Sequence, residues 1–339
     1  MKAMVPPFTL TSVIVNLCTK ISERVGALSV LGEHTQSVQL LRLSRIRTIH
    51  GSLAIEGNTL SEEQITAILD GKRVMAPPRD IQEAHNAISA YERMHDWTAH
   101  QEADLLNAHR CLMTGLLADA GQYRGGGVGV MSNEQVIHMA PPASRVPILM
   151  RQLLRWLDTT GAHPLVASSV FHYEFEFIHP FADGNGRMGR LWQTLILSQW
   201  RPVFAYIPVE SLVHQNQSDY YAANQESTRL ADSGPFITFM LSMIQDALAD
   251  IVTPHAAPHV THHVEKLLSV LKSTDENGMS RDEIMTRLLL SDRTSFSERY
   301  LKPALQQGLL ALTLPDKPRS PLQRYKLTSA GLALVRHFG

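Results

Sequence analysis

The stretch IHPFADGNGRMGRL, residues 178–191, concentrates residue types that could hold and transfer a phosphate. Gly184 and Gly186 flank Asn185 just ahead of a predicted helix that begins near Arg187. Glycines let the backbone approach a ligand closely and turn its N–H groups toward it. The N-terminus of a helix adds partial positive charge. The arrangement predicts an anion site, and phosphate is the usual anion.

The ionisable side chains of the same stretch extend this prediction. Arg187 and Arg190 are three residues apart and project from one face of the helix, where two guanidiniums suit a di- or triphosphate. A carboxylate beside phosphates makes sense if it holds a bridging Mg²⁺, and Asp183 is placed to do so. His179 stands at the mouth of the site, where a neutral imidazole is a suitable general base for an attacking hydroxyl.

Each of these residues taken alone has a simpler interpretation. A single Gly-x-Gly is a weak signal, a lone histidine at a helix end is more often a cap, and a lone arginine such as Arg190 is more often a surface or salt-bridge residue. The combination is more specific. Every residue type has a role in one reaction within one contiguous loop, and packing explains none of them well.

The elements that must position this loop are mostly helices. Apolar residues at helical spacing predict helices at 60–72, 80–97, 102–119, 145–158, 164–181 and 187–200. The first of them opens with a capping box formed by Ser61 and Gln64. The helix at 164–181 is apolar enough to be a buried central helix. The glycines and valines of 121–142 instead predict a small β-hairpin around the turn SNEQ.

The pattern changes after residue 250. A proline- and histidine-rich linker, 251–263, leads into 264–339, where three helices, a strand, a basic loop, a strand and a last helix follow the order of a winged helix-turn-helix domain. The second unit carries 12 Lys+Arg against 8 Asp+Glu, a mild excess, so protein docking is an alternative to DNA binding. Five basic residues could face a DNA backbone: Arg299, Lys302, Lys317, Arg319 and Arg324.

Composition excludes several classes of protein. A length of 339 residues predicts two or three domains, and a net charge of -1 gives the whole chain no bias toward nucleic acid or membrane. Cys18 and Cys111 make neither a disulfide framework nor a metal site. The N-terminal residues contain no long apolar run, so we expect no secretory signal, and no segment reaches the roughly 18 apolar residues of a membrane span. We therefore expect no membrane association.

The sequence HPFADGNGR followed by MGR resembles the Fic motif, HPFx(D/E)GN(G/K)RxxR, at every defined position. Members of this family are mostly adenylyltransferases (AMPylases), which move AMP from ATP to a Ser, Thr or Tyr hydroxyl of a target protein and release pyrophosphate. The resemblance implies a mainly α fold with an N-terminal helical region at 1–100 and a Fic catalytic core with a hairpin flap at 101–250. It also implies a cytoplasmic enzyme, because the reaction consumes ATP.

The resemblance assigns a role to each residue of the motif. His179 would be the general base, Asp183 the Mg²⁺ ligand and Phe181 a buried anchor of the loop. Asn185 and the backbone of Gly184 and Gly186 would hold the α- and β-phosphates. Arg187 would stabilise phosphate charge, and Arg190 would bind the γ-phosphate. The ligands so implied are Gly184, Asn185, Gly186, Arg187 and Arg190.

Two further segments resemble parts of the family fold. GQYR and the following hairpin, 121–142, resemble the flap, which binds a target protein by adding its backbone as an extra β-strand and so positions the acceptor hydroxyl. The paired tyrosines in SDYYAANQES, Tyr220 and Tyr221, resemble the helix that lines the adenine pocket. Either of the two could equally be a core residue.

The stretch SLAIEGN, residues 52–58, resembles the family's inhibitory signature, (S/T)xxxE(G/N). Ser52 and Glu56 are four residues apart and share a helix face, so Glu56 could pair with Arg190. Such a pair would occupy the arginine that the γ-phosphate needs, and ATP could bind only unproductively. The plainer interpretation is a helix C-terminus followed by Gly57, and the two are compatible.

Other functions stay open at this point. The same site could remove AMP from a modified protein, with Glu56 positioning a water. Phosphotransfer, as in the Doc branch of the family, is disfavoured by Gly184 and Gly186, because that branch has lysine after the asparagine and lacks the glycine-rich anion site. A DNA-binding regulator with the Fic core as a sensor is disfavoured by an intact His179. Because many relatives form dimers, we also expect a homodimer.

Overall fold

The computed structural model divides the chain into two compact units, Met1–Val252 and Thr253–Gly339. It describes residues 5–32, 38–127, 129–132, 135–252, 262–272, 278–288, 290, 292–306, 308–314, 320, 323–328, 331, 332 and 335. Each unit has a hydrophobic core of its own.

The first unit is built from α-helices and one β-hairpin. Its helices are α1 (Ser12–Gly32), α2 (Val38–Ile55), α3 (Glu62–Leu69), α4 (Pro78–Arg93), α5 (Glu102–Met113), α6 (Val146–Thr159), α7 (Pro164–Ile178), α8 (Asn185–Trp200), α9 (Val209–Gln215), α10 (Gln217–Leu230) and α11 (Gly234–Val252). Short 3-10 helices lie at Met94–Asp96, Ala143–Arg145 and Pro202–Tyr206. The hairpin pairs β1 (Gly129–Ser132) antiparallel with β2 (Gln135–Met139). Within the described residues, the helices are too short or too polar to span a membrane.

The predicted helices are present, and the differences lie at their ends. The capping box is confirmed, because Ser61 Oγ accepts from the N–H of Gln64 at 3.3 Å and the Gln64 side chain accepts from the N–H of Ser61 at 2.9 Å. Helix α4 begins two residues earlier than predicted, at Pro78, because proline is tolerated in the first turn. Helix α7 ends at Ile178, three residues earlier than predicted.

Helices α7 and α8 form the centre of the core and hold the loop between them. The predicted burial of α7 is confirmed, since all residues from Leu165 to Phe175 are buried. Gly189 lets α8 approach α7 closely, because a Cβ there would lie 2.7 Å from the ring of His172. Large apolar side chains that are fully buried contribute about 1.5–3 kcal/mol each, and Phe171 and Trp192 are among them. The loop is therefore anchored at both ends in buried helices.

The second unit combines short helices with a three-stranded antiparallel sheet. Its helices are α12 (His262–Leu271), α13 (Arg281–Arg287), α14 (Arg293–Phe296) and α15 (Lys302–Gln306), with a π-helical turn at Ser297–Leu301. Its strands are β3 (Met279–Ser280), β4 (Leu310–Leu312) and β5 (Arg324–Leu327), in the order β3-β5-β4. The sequence did not predict β3, because two residues carry no alternation. The π-helical turn divides the third predicted helix.

Several predicted features of the second unit lie outside the described residues. They include most of the linker, the basic-loop residues Lys317 and Arg319, the side chain of Arg299, and most of the last helix predicted from Ser329 onward.

Candidate active site

A six-residue loop, 179–184, joins α7 to α8 and carries the predicted site. Its first residue, His179, has a left-handed backbone conformation with φ 50°, which costs a non-glycine residue about 1–2 kcal/mol. Its last residue, Gly184, is also left-handed, with φ 83°. A Cβ at Gly184 would lie 2.7 Å from the Sδ of Met113, so this position accepts only glycine without a shift of its neighbours.

The side chain of Asn185 holds the loop instead of facing outward. Its Oδ1 accepts from the backbone N–H of Phe181 and its Nδ2 donates to the backbone carbonyl of Phe181, both at 2.9 Å. Both polar atoms are used, and the residue is buried. Phosphate binding by Asn185 stays a prediction. Backbone N–H groups at the start of α8 add to the anion-binding groups of this segment, because the first N–H groups of a helix have no acceptor within it.

Helix α2 ends against the start of α8, and its last residues contact Arg190. The Nη2 of Arg190 lies 2.7 Å from Oε1 of Glu56 and 3.0 Å from the carbonyl of Ser52, and its Nε lies 3.1 Å from Oγ of Ser52. The pair agrees with what the resemblance to the inhibitory signature implies. A Cβ on Gly186 would overlap the Glu56 carboxylate, so the glycine lets this contact form.

The end of α2 is also an ordinary helix C-terminus followed by Gly57, as the sequence predicts. Gly57 has φ 85° and donates to the carbonyl of Ala54, and Asn58 donates to the carbonyl of Leu53. This is a Schellman motif, and it fixes where the chain leaves the helix. Glu56 is thereby held at the helix end, where its carboxylate reaches Arg190.

Asp183 and Arg187 belong to a network of charges with α4. The Oδ1 of Asp183 accepts from the N–H of Gly184 at 2.6 Å and lies 3.3 Å from Nη2 of Arg187. Its Oδ2 lies 3.2 Å from Nη2 of Arg79, and the Nη1 of Arg187 lies 3.1 Å from Oε1 of Glu83. The predicted metal ligand thus has both oxygens beside arginines.

A buried carboxyl, Glu210 on α9, lies behind Arg190. Its Oε1 accepts hydrogen bonds from the hydroxyls of Tyr91 at 3.2 Å and Thr194 at 2.8 Å, while its Oε2 is buried without a hydrogen bond. Burial raises the pKa of Glu210 to about 7, although the charge of Arg190 and these hydrogen bonds act in the opposite direction. Burial lowers the pKa of Arg190, but Glu56, together with Tyr220 and Glu176, more than offsets this and the pKa of Arg190 is raised.

We expect the variant Glu210→Gln to gain stability over the wild type as pH rises. The pKa of this carboxyl is 4.5 in the unfolded chain and about 7 in the fold, so the native state binds more protons between these values and loses stability as pH rises through them. The variant should be more stable by about 3 kcal/mol at pH 8 and nearly equal to the wild type at pH 4.5. Urea unfolding, followed by tryptophan fluorescence, measures the difference, because all four tryptophans lie in the first unit.

The matched control is Glu226→Gln, which removes an exposed carboxyl whose pKa Arg229 lowers. This control should show no gain with rising pH. Parallel stability curves for the wild type and Glu210→Gln would contradict the raised pKa.

Two family models match the chain, the Fic/DOC family over residues 98–197 and the Filamentation induced by cAMP protein Fic-like, C-terminal domain, over residues 262–328. A solved structure of a Fic family protein from Desulfovibrio desulfuricans G20 is 51% identical, with a TM-score of 0.73, and the match covers 96% of this chain and 99% of that chain. The chain belongs to the Fic family. The predicted fold class, a mainly helical Fic core with a small hairpin and a separate C-terminal unit, is confirmed.

The curated relatives of this Fic protein are longer than the chain. Protein adenylyltransferase fic-1 from Caenorhabditis elegans is 25% identical over 265 residues, covering 72% of this chain and 46% of the relative. Protein adenylyltransferase Fic from Aedes aegypti is 29% identical over 216 residues, covering 60% of this chain and 41% of the relative. The chain thus spans less than half the length of these curated relatives.

The Fic fold separates the two tyrosines that the sequence left undecided. Tyr220 is buried, its hydroxyl lies 3.2 Å from Nε2 of His172, and its ring packs against Phe236. Tyr221 is 40% exposed and accepts a hydrogen bond from Gln217. Tyr220 is therefore packed in the core and Tyr221 is open to solvent, and nucleotide contact by either stays a prediction.

A buried histidine that the sequence analysis missed supports the Fic loop from α5. The ring of His109 stacks on Phe181, with centroids 3.6 Å apart. Its Nδ1 accepts from the N–H of Gly121 at 2.8 Å, so its Nε2 carries the proton and donates to the carbonyl of Asp183 at 3.0 Å. Burial lowers the pKa of His109 to about 4, which keeps the ring neutral. In the sequence this residue sits within an ordinary amphipathic helix, and nothing in the pattern marks it.

Proposed function

We propose that this Fic protein transfers AMP from ATP to a Ser, Thr or Tyr hydroxyl of a target protein. The observation that carries the proposal is the single loop that places His179 at the end of α7 and a glycine-flanked helix N-terminus at the start of α8. The curated relatives, which are named protein adenylyltransferases, support this reaction class.

The ATP phosphates would lie at the N-terminus of α8. The backbone N–H groups of Asn185 and Gly186 are suited to the α- and β-phosphates, since glycine leaves their approach open. The N–H of Gly184, which donates to Asp183 in this structure, would join them once Asp183 turns to the metal ion. Arg187 is buried at the first turn, and its Nε makes no hydrogen bond within the described residues. Its charge would stabilise the phosphates, and Arg190 would bind the γ-phosphate once Glu56 leaves it.

The residues present fit a Mg²⁺ ion that is held mainly by the substrate. No cluster of three or more potential metal ligands occurs in the described part of the chain. Mg²⁺ bound with nucleotides usually takes only one or two carboxylates, together with phosphate oxygens and water. Asp183 would supply the carboxylate, exchanging an arginine contact for the ion. When bound, Mg²⁺ neutralises charge on the phosphates.

The chemical step is a displacement at the α-phosphorus. The acceptor hydroxyl oxygen forms a bond to the α-phosphorus, while the bond from that phosphorus to the oxygen bridging to the β-phosphate breaks. Pyrophosphate leaves with the bonding electrons, and the imidazole of His179 takes the hydroxyl proton. A general base is needed because an alcohol is a poor nucleophile in its protonated form.

We propose further that the activity is autoinhibited by Glu56. The carboxylate lies 2.7 Å from Nη2 of Arg190 and against Gly186. It therefore engages the arginine proposed to bind the γ-phosphate and fills space beside the backbone proposed to bind the other phosphates. Removal of AMP from a modified protein, with Glu56 positioning a water, stays the alternative use of the same geometry.

The flap and the C-terminal unit are the segments proposed to bind partners. The hairpin contains two strands within the described residues, so its outer edges are available for an added strand of a target protein. We propose a winged helix for the second unit. Its Arg293 is 3.0 Å from Asp282 and its Arg324 is 2.8 Å from Glu283, which leaves less positive charge for DNA. DNA binding, homodimer formation and a cytoplasmic location stay predictions.

Parallel incorporation assays with α-³²P-ATP and γ-³²P-ATP test the proposed reaction. We expect label from the α position only, because AMP is the transferred group and the γ-phosphate leaves in pyrophosphate. The assay uses the full chain with Mg²⁺ and the inhibition-relieved variant Glu56→Gly. Label from the γ position would identify a kinase. No label from either position would favour AMP removal or a regulatory role.

A further inference from the structure

Arg124, the last residue of the GQYR segment, is a buried arginine that joins the flap to the catalytic loop. Its side chain hydrogen-bonds four backbone carbonyls. The acceptors and distances are His179 at 2.7 Å, Ile178 at 3.3 Å, Gly126 at 2.8 Å and Pro141 at 2.6 Å. Its own backbone N–H donates to the carbonyl of Pro180 at 3.0 Å.

This guanidinium is buried without a carboxylate among its described contacts. Burying a charge is costly unless hydrogen bonds replace the water it loses, and burial lowers the pKa of Arg124. The five donors of a planar guanidinium can reach acceptors on several sides at once, whereas the three donors of a lysine diverge from one atom. The four hydrogen bonds that offset the cost of burying Arg124 point to a role in fixing local geometry.

On one side, Arg124 donates hydrogen bonds to the carbonyls at the C-terminal end of α7. The carbonyls of Ile178 and His179 lie at the helix C-terminus, where backbone acceptors lack partners within the helix and the dipole favours a cation. His179 has a left-handed conformation there, which needs support from its surroundings. The two hydrogen bonds from Arg124 give that support to the peptide that carries the imidazole.

On the other side, Arg124 fixes both ends of the flap. Gly126 precedes β1 and Pro141 follows β2, so a single side chain ties the two legs of the hairpin together. An isolated two-stranded hairpin is only marginally stable in water. The guanidinium thus links both ends of the flap to the peptide that carries His179.

We propose that Arg124 is a positioning residue that sets the distance between the flap and His179, and so directs AMP to a protein hydroxyl and not to water. This inference rests on the proposed AMP transfer. A flap that is displaced by about an ångström would misplace a strand-bound hydroxyl, which can cost about 100-fold in rate. A water molecule needs no flap, so hydrolysis of ATP to AMP and pyrophosphate would continue.

The test compares Arg124→Met and Arg124→Lys in the Glu56→Gly background. Two rates are measured with α-³²P-ATP: label incorporated into the chain itself and AMP released to solution. For Arg124→Met we expect incorporation to fall about 100-fold while AMP release changes by less than about 3-fold. Arg124→Lys keeps the charge at the end of α7 but cannot reach all four carbonyls, so its incorporation should fall by an intermediate factor, about 10-fold.

Two further measurements separate positioning from loss of structure. Hydrogen exchange of 125–141 should quicken in Arg124→Met, while ATP affinity by calorimetry should stay within about 3-fold. Arg24→Met is the matched control, because Arg24 also donates from a part-buried site to a backbone carbonyl, that of Gln245, away from the loop. This control should leave the ratio of incorporation to AMP release unchanged.

The outcomes are distinguishable. Equal losses of incorporation, AMP release and ATP affinity in Arg124→Lys, or an unchanged ratio in both variants, would overturn the positioning role. Should Arg124→Met fail to fold, Arg124→Lys decides alone. Absence of incorporation in the Glu56→Gly parent would instead refute the proposed function.

Discussion

Replacing Glu56 with glycine should raise the incorporation of AMP about 10- to 100-fold. The carboxylate pairs with Arg190 at 2.7 Å; the guanidinium is buried and the Glu56 side chain is 33% exposed, so solvent screens the pair only in part. A hydrogen bond to a charged partner is worth about 1.5–3 kcal/mol, and each 1.36 kcal/mol is tenfold in rate. Freeing Arg190 makes that interaction available to the γ-phosphate. Incorporation from α-³²P-ATP at saturating Mg²⁺ measures the change.

Glu56→Gln separates the effect of charge from that of backbone flexibility at the end of α2. It keeps the shape of the side chain and removes the negative charge, so we expect most of the increase. Ser52→Ala removes one of two contacts between Ser52 and Arg190, and its increase should be smaller. Equal activity in wild type and Glu56→Gly would show that the pair does not restrain transfer.

The pair of Glu56 with Arg190 could be predicted because each half lies in a local pattern that resembles a family motif. A helix turn fixes the separation of Ser52 from Glu56, and another fixes that of Arg187 from Arg190, so only their encounter had to be assumed. The capping box at Ser61 and the burial of α7 follow from equally local rules. The hairpin was visible because its alternating valines and glycines interrupt the helical spacing.

The supports of the loop could not be predicted, because they depend on contacts between distant parts of the chain. Arg124 lies 55 residues from His179, and His109 lies 74 residues from Asp183. Arg79 meets Asp183 across 104 residues. The periodicity of a helix or a strand does not predict contacts between residues so far apart in the sequence.

Asn185 illustrates a different limit of sequence reasoning. Asn185 belongs to the motif and begins α8, beside the proposed phosphate ligands. An asparagine side chain can bind a phosphate, and it can equally hold the backbone of a loop. Only the geometry shows that both polar atoms of its side chain bond to Phe181. A motif therefore identifies the residues of a site more reliably than it assigns the direction in which each side chain faces.

Replacing His179 with alanine should lower AMP incorporation about 10³-fold in the Glu56→Gly background. A positioned general base contributes about 10²–10⁴ in rate, because the acceptor hydroxyl must lose its proton as it attacks. ATP affinity should change by less than about 3-fold, since the phosphate ligands lie on α8 and not on this side chain. Incorporation assays and calorimetry measure the two quantities separately.

His163→Asn provides the control at the opposite end of the same helix. The Nδ1 of His163 caps α7 by accepting from the N–H of Leu165 at 3.2 Å, and asparagine is also a good N-cap. This variant should keep both activity and stability, so any loss in His179→Ala belongs to the imidazole and not to α7 as a whole. If His179→Ala retained more than about a tenth of the parent's rate, another group would have to accept the proton. In the described structure the loop residue His179 has the chemistry for that step, whereas the carboxylate of Asp183 is engaged by arginines and is better suited to hold a cation.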